Sequence, residues 1–212
     1  VGVNPSNYVR FNNELWRIIG IFNGQAKIIR NDFYSTNKMW NSSAVNNWAA
    51  SSLQVELNGA YLNSIEATSK SYIDQSHVWN LGGTPNYHSS TRSQFYIAER
   101  GTNVYSGRPT TWTGAIALMY PSDWAYASSS TSSACDSTVL RDWQNQVACY
   151  SNSWLHNSSY DQWTLTHRSD SSTIVFNAPL GGYIDGTNWT TYATGVRPVL
   201  YLKSSVKIES GT

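Results

Sequence analysis

The run Gly195-Val196-Arg197-Pro198-Val199-Leu200-Tyr201-Leu202 constrains the fold of this chain more than any other stretch. Val196, Val199, Leu200 and Leu202 need a core. Arg197 carries a charge into the same region, so its guanidinium must find acceptors there. Pro198 has no N–H to give a ladder and fits a strand start, an edge or a bulge. The expected outcome is a closing strand, Val196 to Leu202, with Arg197 structural and held by loop carbonyls or by Asp123. An anion-binding Arg197 is the competing reading.

The 212 residues, 40% of them hydrophobic, suffice for one large core, and no linker or repeat divides them. A single domain over residues 1–212 is expected. Charged residues make up 13% of the chain, where about 25% is usual. Ser, Asn and Thr fill the polar positions, beside 10 Trp and 14 Tyr. Antibody-type binding surfaces use that palette. The formal net charge is +1 with no basic cluster, which leaves nucleic-acid binding without an electrostatic footprint. No apolar run reaches the ~18–20 residues of a membrane helix. The opening Val1-Gly2-Val3-Asn4-Pro5 lacks the basic region of a signal peptide.

Strands are expected at Tyr8–Phe11, Leu15–Phe22 and Ala26–Arg30, joined by turns at Asn12-Asn13-Glu14 and Asn23-Gly24 into an antiparallel meander. Ser51-x-x-Gln54 marks a helix start, with Leu53, Leu57 and Tyr61 or Ala60 inward; Asn58-Gly59 should weaken or end it. A second helix over Glu66–Gln75 would bury Ile65, Tyr72 and Ile73, and a short one is expected over Arg92–Glu99. Ala115–Met119 reads as a strand and Pro121-Ser122-Asp123 as a turn. Further strands are expected at Trp163–Thr166 and Thr173–Phe176, with a short strand or turn at Gly181–Ile184. The Ser-rich patches Ser128–Ser133 and Ser169–Ser172 read as exposed loops. Strands, then helices, then strands indicate an α+β domain.

The two cysteines, Cys135 and Cys149, are too far apart for CxxC redox or zinc chemistry. Val139, Leu140, Trp143 and Val147 fall on one helical face between them. A disulfide closing that loop is expected, contributing roughly 3 kcal/mol in the loop-entropy model, and it favours an exported, extracellular location.

Asn7–Phe11, Leu15–Gly20, Leu118-Met119-Tyr120-Pro121-Ser122-Asp123, Gln162–Leu165 and Gly195–Val199 occur in that order. In this combination the chain resembles a family of bacterial exported surface domains often joined to a prepilin-like helix. That family looks like the C-type-lectin fold in its formylglycine-generating-enzyme-like form. Variable receptor-binding proteins of diversity-generating retroelements share the fold, with a Gly-x-Arg strand after the variable loops. The resemblance implies recognition at a cell or appendage surface. The formylglycine-generating enzymes need two closely spaced thiols late in the chain, and Cys135 and Cys149 do not match them, which argues against copper catalysis.

No catalytic motif stands out. His77, His88, His156 and His167 lack metal-ligand spacing and read as surface or loop residues. Asp161, Asp170 and Asp185 follow no calcium-loop pattern, so no cofactor or metal is expected. Trp16, Trp112, Trp124 and Trp163 read as core. The sequons at Asn41, Asn157 and Asn188 are what chance provides in so Asn- and Ser-rich a chain. Phe176–Thr194 is dense in polar and aromatic residues with little strand pattern. The candidate ligand-binding residues are therefore Asn177, Tyr183, Asp185, Asn188, Trp189 and Tyr192. The expected partner is a protein or glycan on another cell or surface. A structural pilus, filament or tip subunit, and a degenerate or unrecognised enzyme of the formylglycine-generating-enzyme-like fold, are the alternatives.

Overall fold

The computed structural model describes residues 4–85 and 90–208. His88 lies outside the described residues, as do the ends of the expected 1–212 domain.

The meander forms as expected: β1 Tyr8–Phe11, β2 Glu14–Phe22 and β3 Gln25–Arg30. Both of its turns need positive φ, and Asn12 (55°), Asn13 (57°), Asn23 (50°) and Gly24 (78°) supply it. Strand β4, Ser35–Met39, follows. A short 3-10 turn leads into α1 Ser52–Glu56, which Ser51 caps by accepting from the Gln54 N–H at 3.0 Å. Asn58-Gly59 does not end the helix. The chain passes through a π-helical turn, Leu57–Tyr61, into α2 Leu62–Ser64. The reason is the Asn58 side chain. It donates to Gln54 O and Ile116 O and accepts from the N–H groups of Ala115 and Ile116, which fixes the wide turn to a neighbouring strand. Leu53, Leu57 and Tyr61 face inward, while Ala60 is exposed.

Helix α3 is shorter than expected, Ala67–Tyr72. Ile65 and Ile73 are buried at its ends, but Tyr72 is 45% exposed. Strand β5 Val78–Asn80 pairs with β6 Thr111–Thr113, and α4 Arg92–Glu99 lies between them in sequence, opened by a Thr91/Gln94 capping box. The expected strand at 115–119 is reduced to β7 Ile116–Ala117. Pro121-Ser122-Asp123 starts a helix, α5 Pro121–Tyr126. Pro121 occupies its first turn, and Asp123 reaches back to cap the Tyr120 N–H.

Cys135 and Cys149 are bonded. The loop between them is not one amphipathic helix. It holds the end of α6 Ser133–Ser137, a 3-10 stretch Leu140–Asn145 and the start of α7 Val147–Tyr150. Leu140 and Trp143 are buried, with Trp143 packed on Trp124 at 5.5 Å between ring centroids, whereas Val147 is exposed. The Ser128–Ser133 patch is likewise not wholly exposed: Ser128 is buried and donates to Cys149 O.

The C-terminal part supplies β8 Gln162–His167, β9 Ile174–Ala178, β10 Asp185–Trp189, β11 Ala193–Val196 and β12 Val199–Tyr201. The strands form two five-stranded sheets, β1-β2-β3-β12-β7 and β10-β9-β8-β11-β4, plus the β5-β6 pair. The class is α+β. The expected single closing strand is two strands in different sheets, and the chain crosses between the sheets at Arg197-Pro198. Pro198 removes the N–H at the point where the ladder must break, and its carbonyl accepts from Arg30 N–H at 3.0 Å. Arg197 is buried, and its Nε donates to Arg30 O at 2.9 Å. Burial, with Arg17 nearby, lowers its pKa to about 10. Asp123 is not its partner. Before the crossing, Gly195 N–H donates to Asp161 O, and a Cβ at Gly195 would sit 2.3 Å from the Phe33 ring.

The buried apolar residues form one continuous cluster between the sheets and helices. Trp16, Trp124 and Trp163 are fully within it, and Trp112 packs edge-on against Trp48 from its margin. No helix among the described residues is long and apolar enough to cross a membrane.

Two stability outcomes follow from this architecture. Replacing Cys135 and Cys149 by Ser should cost about 2–4 kcal/mol in denaturant unfolding; an unchanged midpoint would show that the disulfide-bearing loop is held without it. Arg197→Ala should strand the Arg30 carbonyl and destabilise by roughly 2–4 kcal/mol. An unchanged melting temperature combined with lost ligand binding would make Arg197 a binding residue instead.

Candidate functional site

Two places in the fold gather chemistry. The first is the end of β10. Its register with β9 sets Asp185 opposite Asn177 and Trp189 opposite Ile174, with a bulge between Asp185 and Asn188. The Tyr192 N–H donates to Trp189 O, so the chain turns tightly there, and the Trp189 and Tyr192 rings stack at 5.9 Å and 21°. They are 55% and 51% exposed. Beneath them, Asn188 Nδ2 donates to Asn177 Oδ1 at 2.6 Å and to Asp185 Oδ2 at 3.4 Å, and Thr187 Oγ1 donates to Asp185 Oδ2 at 2.8 Å. Asn177 is buried and anchors the network from below, so it offers nothing to a ligand. Tyr183 goes elsewhere: its half-buried ring faces the Arg141 guanidinium at 4.6 Å, against the disulfide loop. The segment Phe176–Thr194, read as having little strand pattern, therefore contains all of β10, the end of β9 and the start of β11.

The second place is a cavity of about 360 Å³ between β2, α4 and α5. Ile18, Ile19, Phe22, Tyr96, Tyr126 and Trp154 form its apolar and aromatic walls, and Ser122 and Asp123 also line it. A bulge after Ile18 inserts an extra residue into β2 opposite β3, which sets Ile18 and Ile19 both at the cavity. Behind it, Lys27 on β3 is completely buried and ion-paired to Asp123 on α5. Four rings surround its ammonium: Tyr120 at 4.3 Å, Phe22 and Tyr201 at 5.7 Å, and Trp79 at 5.8 Å. Asp123 Oδ2 also accepts the Tyr120 N–H at 2.8 Å. The carboxylate of Glu99, at the end of α4, is buried next to this pair. It accepts the Ser122 N–H at 2.9 Å and the Ser122 hydroxyl, and meets Arg100 at 3.3 Å. Burial lowers the Lys27 pKa against the opposing pull of Asp123. Burial raises Glu99 to about 8, outweighing the Ser122 bonds and Arg100.

The reading of the histidines needs correction. His167 lies on β8, buried, with its pKa lowered to about 4 by desolvation and by Arg108. His77 and His156 are half-buried, and His77 stacks on Tyr201 at 3.7 Å. Among the described residues no group of three or more His, Cys, Asp or Glu could hold a metal. Asp161 accepts from Leu180 N–H and Asp170 pairs with Arg168, so neither carboxylate joins Asp185.

Sequence reasoning missed the Lys27–Asp123–Glu99 cluster. Lys27 sits between Ala26 and the Ile28-Ile29 pair in β3, within the strand's fully buried stretch. A charge flanked directly by apolar residues on both sides was the available signal. Comparisons with protein-family models, with curated proteins and with solved structures each return no match.

Glu99 sets a pH dependence. An unfolded Glu ionises near 4.5, whereas the folded protein keeps this proton up to about 8. Between those values the folded state binds the extra proton, so stability falls as pH rises through that window. His167 acts in the opposite sense between about 4 and 6.5, because its buried imidazole stays neutral while the unfolded one charges. Comparison with Glu99→Gln isolates the first effect. Relative to wild type, the variant should gain stability steadily as pH rises towards 8, whatever constant offset the substitution adds. Denaturant melts across that range check it, and parallel pH profiles would contradict it.

Proposed function

We propose that this chain is a non-enzymatic recognition domain, displayed on a cell surface or appendage, which holds a protein or glycan partner on the face carried by Trp189 and Tyr192. The observation that supports this best is the half-exposed, near-parallel pair of rings fixed at the end of a strand. Two rings held flat give contact area at little entropic cost, because the turn and the packing have already ordered them. A sugar ring or an aromatic side chain can lie on such a surface. Asn188, Thr187 and Asp185 beside them supply directed hydrogen bonds, and their own mutual bonds hold them in place. The low charge of the chain suits recognition by stacking and neutral hydrogen bonds.

The architecture we propose is the C-type-lectin-like fold in its formylglycine-generating-enzyme-like form. The α+β class, the mixed sheet and the Gly195-x-Arg197 segment following the candidate face are in keeping with it. The disulfide is in keeping with export to an oxidising compartment.

A glycan and protein array should identify the partner. Trp189→Ala and Tyr192→Ala should then each lose at least ~1–2 kcal/mol of binding while the melting temperature stays within experimental scatter. Undiminished binding in both variants, or a binding loss explained by unfolding, would overturn the assignment.

A further inference from the structure

The cluster behind the cavity has a chemistry that partner binding does not use. Lys27 and Asp123 are 96 residues apart in sequence and meet with both side chains buried. An ammonium and a carboxylate so placed are costly to keep as ions, because burial penalises both. Proton transfer removes both charges reversibly, and condensation removes them permanently, using only the atoms already there. We propose that Lys27 and Asp123 join through an intramolecular amide bond, with Glu99 carrying the proton between them.

The balance is complete within the pair. Lys27 loses a proton and its Nζ attacks Asp123 Cγ. A C–N bond forms, one Cγ–O bond breaks, and the departing oxygen leaves as water with two protons that were on the nitrogen. No oxidant, reductant or co-reactant is needed. Burial favours the free amine at Lys27 and the protonated acid at Glu99. These are the forms a nucleophile and a proton donor require. Glu99 gives its proton to the departing oxygen and recovers one from the nitrogen, so it ends as it began. The Tyr120 N–H, already on Asp123 Oδ2, stabilises the charge that develops on the oxygen that stays. Asp123 Oδ1 accepts no hydrogen bond from a described residue, and Asp123 lines the cavity, which gives the released water a path outward. Holding the groups in contact supplies an effective concentration of order 10⁵ M or more. The bond would tie β3 to α5 and close the segment from Lys27 to Asp123, residues 96 apart in a chain of 212, into a covalent loop. This inference stands independently of which partner the domain binds.

Intact-mass spectrometry on the reduced full chain tests it. Wild-type protein should be lighter than its sequence by one water. Proteolysis should release a branched peptide joining the segments that hold Lys27 and Asp123, with no tryptic cleavage after Lys27. Lys27→Arg, which keeps the charge, and Asp123→Ala should both show the full sequence mass. Glu99→Gln should also show it while retaining the wild-type circular dichroism spectrum. Wild-type protein at its full sequence mass would overturn the proposal, and so would a water loss that persists in Lys27→Arg or Asp123→Ala. Complete water loss in Glu99→Gln would overturn the part given to Glu99.

Discussion

The structure depends on one contact, the fully buried meeting of Lys27 and Asp123. Lys27 belongs to a central strand of the first sheet, and Asp123 to the opening turn of α5. A charge with no exposure is tolerated only when its partner is fixed. Asp123 is fixed because it also caps its own helix through the Tyr120 N–H. Tyr120 in turn places its ring over the Lys27 ammonium and its hydroxyl on Asn80 O. Ser122 ties the same helix start to Glu99 at the end of α4. One lysine thus sets the positions of a strand, two helices and the β5 segment. The aromatic rings of Tyr120, Phe22, Tyr201 and Trp79 close around the same nitrogen at 4.3 to 5.8 Å.

The second constraint is the crossing at Arg197-Pro198. The two sheets share a chain segment there, so their relative placement is covalently limited. Backbone bonds from Arg30 to Pro198 and from Tyr34 to Val196 hold the segment from one side. The buried Arg197 folds back onto the end of β3. Lys27 and Arg30 both lie on β3, which makes that strand the common reference for both joints. The candidate recognition face sits at the far edge of the second sheet, on β10. Its rings can change without touching either joint, which is what a surface meant to meet partners requires.

What was legible in the sequence was local. Asn12-Asn13 and Asn23-Gly24 announce their turns because only a few residues accept positive φ, and the meander follows. The short helix over Arg92–Glu99 is also local, since its Thr91/Gln94 capping pair needs no tertiary partner. Where tertiary bonds decide, local reading fails. Asn58 looks like a helix breaker until its side chain finds β7. Pro121-Ser122-Asp123 looks like a turn until Asp123 caps a helix. Ser35–Met39 and Asp185–Trp189 are polar strands with little alternation, so their pairing partners alone define them. In the candidate site, the ring pair could be nominated because aromatic and Asn-rich segments stand out by composition. The burial of Asn177 and the diversion of Tyr183 to Arg141 could not, since both depend on β9 and the disulfide loop. The Lys27, Glu99 and Asp123 cluster draws on three distant segments, and nothing in their spacing marks them as neighbours.

The two regions differ in kind: a fixed interior built on buried polar contacts, and an outer edge that carries the proposed recognition face. The interior claim is the sharper of the two, because it concerns one bond. A nitrogen-15 spectrum of protein labelled at lysine side chains reads that bond in the folded state. The account predicts that Lys27 Nζ appears as an amide nitrogen bearing a single proton, correlated to the Asp123 carbonyl carbon, and that this signal vanishes in Asp123→Ala. An ammonium or free amine resonance for Lys27 Nζ in the wild-type protein would contradict it.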